Sequence, residues 1–345
     1  MSYRNSLLAL TSAPKKPRRT ALQLVACMAL LGASSIPVSA YAQAAWPTAK
    51  TITLVVPFSA GGSVDFTARL LAQKLSERLQ QNVIVDNAVG AGGVIGMDKV
   101  VRAAPDGYTF VMGADSPAAI AKLVNPGAVR YDTLKDLAPV ALTTTAPMVI
   151  VARPGLPVSN LADVIRLARE KPGQLSYATS GVGTVLHLAM ERIKEQSKTS
   201  MVHVPYRGGS QVGADVVGDR VDLAVLISVT AAPQILSKAL KGIAITDDQR
   251  APSLPDLPTV AETDGFKGFD MLAWTGLFAP AKTPAAIILQ MNSAVNDVLA
   301  MQDVQSKLAD GGATPGKGTV ADFTRFVRTE SERYAAIVKA ANIQQ

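Results

Sequence analysis

The stretch Thr51–Arg69, TITLVVPFSAGGSVDFTAR, constrains the fold more than any other part of the chain. Ile52, Leu54, Val55 and Val56 form a short apolar run with β-branched weight, the pattern of a buried strand. Pro57 ends it. Phe58-Ser59-Ala60-Gly61-Gly62 follows as a turn whose paired glycines admit positive φ and a close approach of backbone to a ligand. A helix then begins, with Ser63 as its predicted N-cap and Asp65 in its first turn. Val64, Ala68, Leu71, Leu75 and Leu79 make one apolar stripe along it. The unpaired N–H groups at such a start, with the helix dipole, suit an anion; a tight βα connection with a packing glycine is the plainer alternative. The loop is neither GxGxxG nor a Walker loop, since no Lys follows the glycines.

From Thr51 onward strand and helix alternate, which predicts a largely parallel α/β sheet. Val83–Val85 is a second strand and runs into the glycine loop from Asn87 to Gly93. Pro105-Asp106-Gly107 turns into a third strand, Tyr108–Gly113, with Asp115 and Ser116 at its end. Ligands of open α/β sheets lie outside the carboxyl ends of strands, and all three loops are expected at that edge. The apolar runs Val140–Thr144 and Met148–Ala152, separated by Ala146-Pro147, predict a crossing between two lobes.

Beyond the crossing, Asn160–Lys171 reads as a helix started by Ser159 or Asn160 and ended by Pro172-Gly173. Leu175–Thr179 then repeats the opening architecture: strand, glycine turn Ser180-Gly181-Val182-Gly183-Thr184, helix from Thr184 or Val185. Met201–Val204 leads to Pro205-Tyr206-Arg207-Gly208-Gly209. Val221–Ile227, with Asp222 near its start, and Gly242–Ile245 are further strands. Met271–Phe278, containing Trp274, predicts the second crossing. Thr283-Pro284 opens a helix with proline at its first position, and Thr319 or Asp322 begins the last one.

The formal charge of +7 is concentrated at the N-terminus. Residues 1–42 hold five of the 34 basic residues (Arg4, Lys15, Lys16, Arg18, Arg19) and no acid, so 29 face 27 acidic residues in the remainder. That near-neutral balance carries no electrostatic footprint for nucleic acid. The basic start, the apolar run Ala21–Ala33 and Ala40-Tyr41-Ala42 together predict a cleavable export signal over residues 1–42. Arg18-Arg19 leaves twin-arginine export open, and Leu24-Val25-Ala26-Cys27 leaves open a lipidated Cys27. Cleavage after Ala42 leaves no cysteine, hence no disulfide or thiol chemistry. With two histidines and no ligand spacing, no metal or other cofactor is expected. His187 either lines a site or packs, and His203 reads as a strand histidine. The serine of Ser180-Gly181-Val182-Gly183-Thr184 is not in a G-x-S-x-G elbow, and no catalytic residue is assigned. What remains is a device for gripping a small anion between lobes that close on it.

Taken in order, Val56–Asp65 (VPFSAGGSVD), Asn87–Gly96 (NAVGAGGVIG), Pro105–Thr109 (PDGYT), Tyr177–Thr184 (YATSGVGT) with His187, His203–Gly208 (HVPYRG) and Leu257–Glu262 (LPTVAE) resemble the periplasmic receptors of tripartite tricarboxylate transporters, the Bug family. The likeness spans essentially the whole chain after the leader. It implies a type II periplasmic-binding-protein clamshell with two α/β lobes and a ligand cleft between them. Residues 43–145 and 269–345 would form lobe 1 and residues 146–268 lobe 2. It also implies a non-enzymatic, monomeric receptor for a small carboxylate: a di- or tricarboxylate, an acidic amino acid or an aromatic acid. The receptor would deliver it to the membrane subunits of a transporter; an exported sensor signalling to a partner protein is the alternative. Ala60 replaces the proline usual before the paired glycines, and Asp86 stands where Glu is common.

Carried over by position, the ligand-facing residues are Phe58, Ser59, Gly62, Ser63 and Asp65 on one lobe. Ser180, Gly183, Thr184, Tyr206 and Asp222 face them from the other, with Asp115, Ser116 and Trp274 at the rim. Asp65 either anchors loop N–H groups or receives a ligand amino group. Arg207 is either a carboxylate partner or an exposed rim cation.

Overall fold

The computed structural model describes residues 46–206 and 209–344, the side chains of 209 and 210 excepted. The leader with Arg18, Arg19 and Cys27, and the loop residues Arg207 and Gly208, lie outside the described residues. The strands are β1 (Ile52–Val56), β2 (Val83–Asn87), β3 (Thr109–Ala114), β4 (Leu137–Ala152), β5 (Ser176–Thr179), β6 (Val202–Pro205), β7 (Leu223–Ile227), β8 (Lys241–Ile245), β9 (Leu272–Pro280) and β10 (Thr314–Pro315). The main helices are α1 (Ser63–Leu79), α2 (Val94–Val101), α3 (Leu161–Glu170), α4 (Val185–Ser197), α5 (Gly209–Val217), α6 (Ser228–Leu236), α7 (Ala285–Leu299), α8 (Gln302–Asp310) and α9 (Val320–Ala340).

The alternation of apolar side chains explains why β1 is buried on both faces. Ile52, Leu54 and Val56 pack with Leu71 and Leu75 of α1 and with Met291 and Val295 of α7. Val55, between them, points the other way and joins Val111, Met97 and Val100. Each such side chain contributes about 1.5–3 kcal/mol on burial.

The strand order is β2-β1-β3-β9-β4-β7-β5-β6, with β8 and β10 also on β4. β1 pairs in parallel with β2 and β3, as β5 does with β6 and β7. The sequence divides β4 at Ala146-Pro147, but the structure runs it unbroken from Leu137 to Ala152. Its first part pairs antiparallel with β9 as far as Pro147↔Leu272, and from Met148 onward its partners are β7 and β8. Register shifts at Pro139/Ala141 and Leu142/Thr144 bend the strand rather than end it.

This strand brings two carboxyl edges face to face. β3 ends at Ala114, level with Thr275 of β9 and through it with Thr144 of β4. β7 runs in the opposite sense and ends at Ile227, opposite Met148. The parallel strands of both halves therefore point toward one another. They stop four residues apart along β4, roughly 13 Å at the rise of a strand.

Helix ends follow local chemistry with two adjustments. Asn160 caps α3, its side chain accepting from Asp163 N–H, and Thr319 caps α9 in a reciprocal box with Asp322. α7 begins at Ala285, so Pro284 is its cap rather than its first residue. α1 is capped by Gly62, and the Ser63 hydroxyl makes no capping bond.

Candidate functional site

The loop after β1 is held from behind by Asp65. This carboxylate is 2% exposed. Its Oδ2 accepts from Gly61 N–H at 2.9 Å and Arg69 Nε at 2.8 Å, and its Oδ1 accepts from Asn87 Nδ2 at 2.8 Å. Burial pushes its pKa up, but the Arg69, Gly61 and Asn87 bonds outweigh that and hold it at about 2. Asn87 also donates to Phe58 O at 3.0 Å. Asp65 is thus a loop anchor, which explains why Ser63 is not needed as a cap. Ser59, Gly62 and Ser63 are exposed and Phe58 half-buried. The N–H groups of Ser63, Val64 and Asp65 begin α1 beyond the reach of intrahelical acceptors.

The loop after β5 has the same plan with different fastenings. Thr184 accepts from His187 N–H at 3.3 Å as the cap of α4 and donates to Gly181 O at 2.9 Å, so its hydroxyl is spent within the loop. Gly183 has φ +70°, and a Cβ there would lie 3.0 Å from Val124 Cγ2. Its N–H donates to His187 Nδ1 at 3.2 Å. Ser180 is half-buried, and Val185 and Leu186 offer the first free N–H groups of α4. Tyr206 lies beside Gly181 through its backbone, while its phenol turns away and donates to Asp215 at 2.7 Å.

A relay of contacts joins the two loops. A Cβ on Gly93 (φ +99°) would meet Phe58 Cζ at 3.2 Å and Pro117 Cγ at 2.9 Å. Pro117 belongs to the π-helical turn Ser116–Ile120, which continues through Ala121–Val124 to the Val124 side chain against Gly183. A second bridge runs from Ser228, at the start of α6, whose hydroxyl donates to Gly312 O at 2.9 Å. Between the edges, the Thr143 and Thr144 hydroxyls each lie 2.7 Å from that of Thr275.

Three expected residues stand elsewhere. Asp222 lies one residue before β7, at the amino edge, where it accepts from Arg153 Nε, Ser176 N–H and the Ser176 hydroxyl, each at 3.0 Å. Trp274 is 1% exposed rather than at a rim; its ring packs edge-on against Phe323 and Phe326 and its Nε1 donates to Tyr334 at 3.1 Å. Asp115 is also buried, accepting from Trp274 N–H at 3.0 Å and from the Ser116 hydroxyl at 2.8 Å. Burial raises its pKa to about 6 against the pull of those bonds.

One cluster draws its members from β5, α4 and β6 and so leaves no signature in the spacing of the sequence. Behind the Ser180–Thr184 loop, the rings of His187 and His203 stack at 3.8 Å and 11°, and Tyr177 stacks on His203 at 4.9 Å. Glu191 gathers the Tyr177 hydroxyl, Lys194 Nζ at 2.5 Å and His187 Nε2 at 3.7 Å. Burial raises the Glu191 pKa, but the bonds from His187, Lys194 and Tyr177 bring it to about 2.

Residues 67–343 match the family model for the tripartite tricarboxylate transporter family receptor. The chain belongs to that family. BugT of Bordetella pertussis is 33% identical over 84% of this chain and 89% of its own length. Rpa4515 of R. palustris, solved with adipate, superposes with a TM-score of 0.79 and 34% identity over 87% of this chain and 99% of the other. MatC of Rhodopseudomonas palustris, solved with bound malate, gives 0.74 and 32% over 84% and 98%. Family and fold are those of periplasmic solute-binding receptors, not of enzymes, and the clamshell class read from the motifs stands.

Proposed function

We propose that this receptor closes on a small dicarboxylate in the periplasm and delivers it to the membrane subunits of a tripartite tricarboxylate transporter. The observation that carries the reading is the opposition of two helix starts. α1 and α4 present free N–H groups from loops fastened by Asp65 at Gly61 and by His187 at Gly183, and the carboxyl edges behind them converge across Thr144–Met148. Helix N-termini favour anions, and neither loop contains a cation to compete for the role. One ligand carboxylate is held between Phe58–Ser63 and Ser180–Thr184 by backbone N–H groups, the Ser59, Ser63 and Ser180 hydroxyls and bridging water. Asp65, Gly183 and Thr184 hold the loops in shape.

In this reading residues 43–145 and 269–345 form one lobe and 146–268 the other, hinged where β4 changes partners. Residues 1–42 are the removed leader, and the receptor works as a monomer. The adipate and malate of the relatives make a dicarboxylate the chosen class. Native mass spectrometry of the protein purified from periplasm tests this. A mass increment matching a small dicarboxylate is expected, and a neutral sugar or an amine in the site would overturn it.

A further inference from the structure

We propose that Val124 is a positioning residue for the second ligand loop: reaching in from the other half of the receptor, it seats Gly183 and fixes the shape of Ser180–Thr184. This rests on the reading of that loop as half of the ligand site.

Val124 ends the segment Ser116–Val124, which leaves β3 ahead of the crossing in β4 and so belongs to the half that carries Phe58–Ser63. The segment is fastened at three points. The Ser116 hydroxyl donates to Asp115, which also accepts from Trp274 N–H of β9. The buried Tyr131 hydroxyl donates to Pro117 O at 2.6 Å. At the far end Asn125 N–H donates to Ala121 O at 2.9 Å, and Asn125 O accepts from Val129 N–H at 3.2 Å. Leu123 is exposed while Val124 is buried, so the valine is the side chain turned inward there.

The loop it meets has few constraints of its own. Gly181 (φ +144°) and Gly183 (φ +70°) give five residues two pivots, and glycine loses more conformational freedom than any other residue when held in one shape. The hydrogen bonds within the loop act on the Gly183 N–H and the Gly181 carbonyl, which leaves the α-carbon of Gly183 to be held by packing. A Cβ built there would lie 3.0, 3.1 and 3.2 Å from Val124 Cγ2, Cγ1 and Cβ. All three carbons of the valine side chain therefore face this one glycine. At its other end the same segment reaches the first loop, where Pro117 and Phe58 both close on Gly93. One fastened segment thus sets the two ligand loops against each other.

Amide order parameters at Gly181–Gly183 are measured first, in the ligand-free exported protein. They should be about 0.85 in wild type and fall below about 0.6 in V124A, with β5 and α4 unchanged. V124I keeps all three carbons and should keep the loop rigid. A valine that only filled the core would lower stability without loosening this loop alone. Calorimetric titration with adipate and with malate forms the second arm. G183A sets a methyl against Val124, and V124A leaves the loop in its seated shape about a tenth of the time, so each should bind about 10-fold more weakly. V124A/G183A makes room for the methyl and should lose about 10-fold in all, not the roughly 100-fold of independent effects. Circular dichroism checks that each variant folds. Unchanged order at Gly181–Gly183 in V124A, unchanged affinity in V124A, or losses that multiply would overturn the proposal. If order behaves as expected while neither acid binds wild type, the positioning role stands and the dicarboxylate reading falls.

Discussion

Replacing Asp65 by asparagine isolates the anchor of the first loop. The carboxylate meets three donors, Gly61 N–H, Arg69 Nε and Asn87 Nδ2, and has no exposed atom to spare. An amide must turn its NH2 toward one of them. Asn87 cannot flip to accept it without losing the bond from Arg69 to its Oδ1 and its own donation to Phe58 O. One buried donor is left facing a donor, and hydrogen bonds to a charged group contribute about 1.5–3 kcal/mol. Linkage gives an independent figure. The pKa lowered from 3.8 to about 2 corresponds to about 2.5 kcal/mol of stability. Because the folded value is depressed, this stability is complete above the unfolded value of 3.8 and disappears as pH falls through about 2. Urea unfolding of wild type and D65N should therefore differ by about 2–3 kcal/mol at pH 7, the gap narrowing below pH 4. Other carboxylates titrate equally in both proteins and cancel in the difference. Equal stability at pH 7, or a gap independent of pH, would refute the anchor.

Thr184→Val removes the α4 cap and the bond to Gly181 O, costing about 0.5–2 kcal/mol. The protein should remain folded by circular dichroism, with severalfold weaker dicarboxylate binding by calorimetry. Ligand should compact the molecule, since the two proposed halves are joined along the chain at two places, within β4 and just before β9; an unchanged radius of gyration by small-angle scattering at saturation would count against closure. N-terminal sequencing of exported protein should begin near Gln43, and a lipid-modified Cys27 would place the receptor on a membrane instead.

Local chemistry was legible wherever neighbours in sequence decide it. The opening strand, its turn and α1, the Asn160 and Thr319 caps and the repeat of the same plan at Ser180–Thr184 all follow from spacing and capping residues. Non-local choices were not legible. Pro147 reads as a break, yet antiparallel pairing with Leu272 carries β4 straight through it. Ser63 reads as a cap, but Asp65, reaching back to Gly61, makes one unnecessary. Thr184 reads as a ligand hydroxyl, though its proton and lone pair are both taken within the loop. Asp222 carried its own warning: a residue at the start of a parallel strand lies at the edge opposite the loops. The histidine pair is joined only by the register Tyr177↔His203 and by the α4 helix returning over β5, which spacing alone does not reveal.

In the proposed site, helix-start N–H groups rather than a cation hold the ligand carboxylate. Calorimetric titration of adipate against its monoamide measures this directly, with Arg207→Ala as the companion variant. Charge-assisted bonds of the expected strength predict monoamide binding about 10- to 100-fold weaker, with adipate affinity little changed in Arg207→Ala. Equal affinity for acid and amide, or loss of adipate binding in Arg207→Ala, would contradict it.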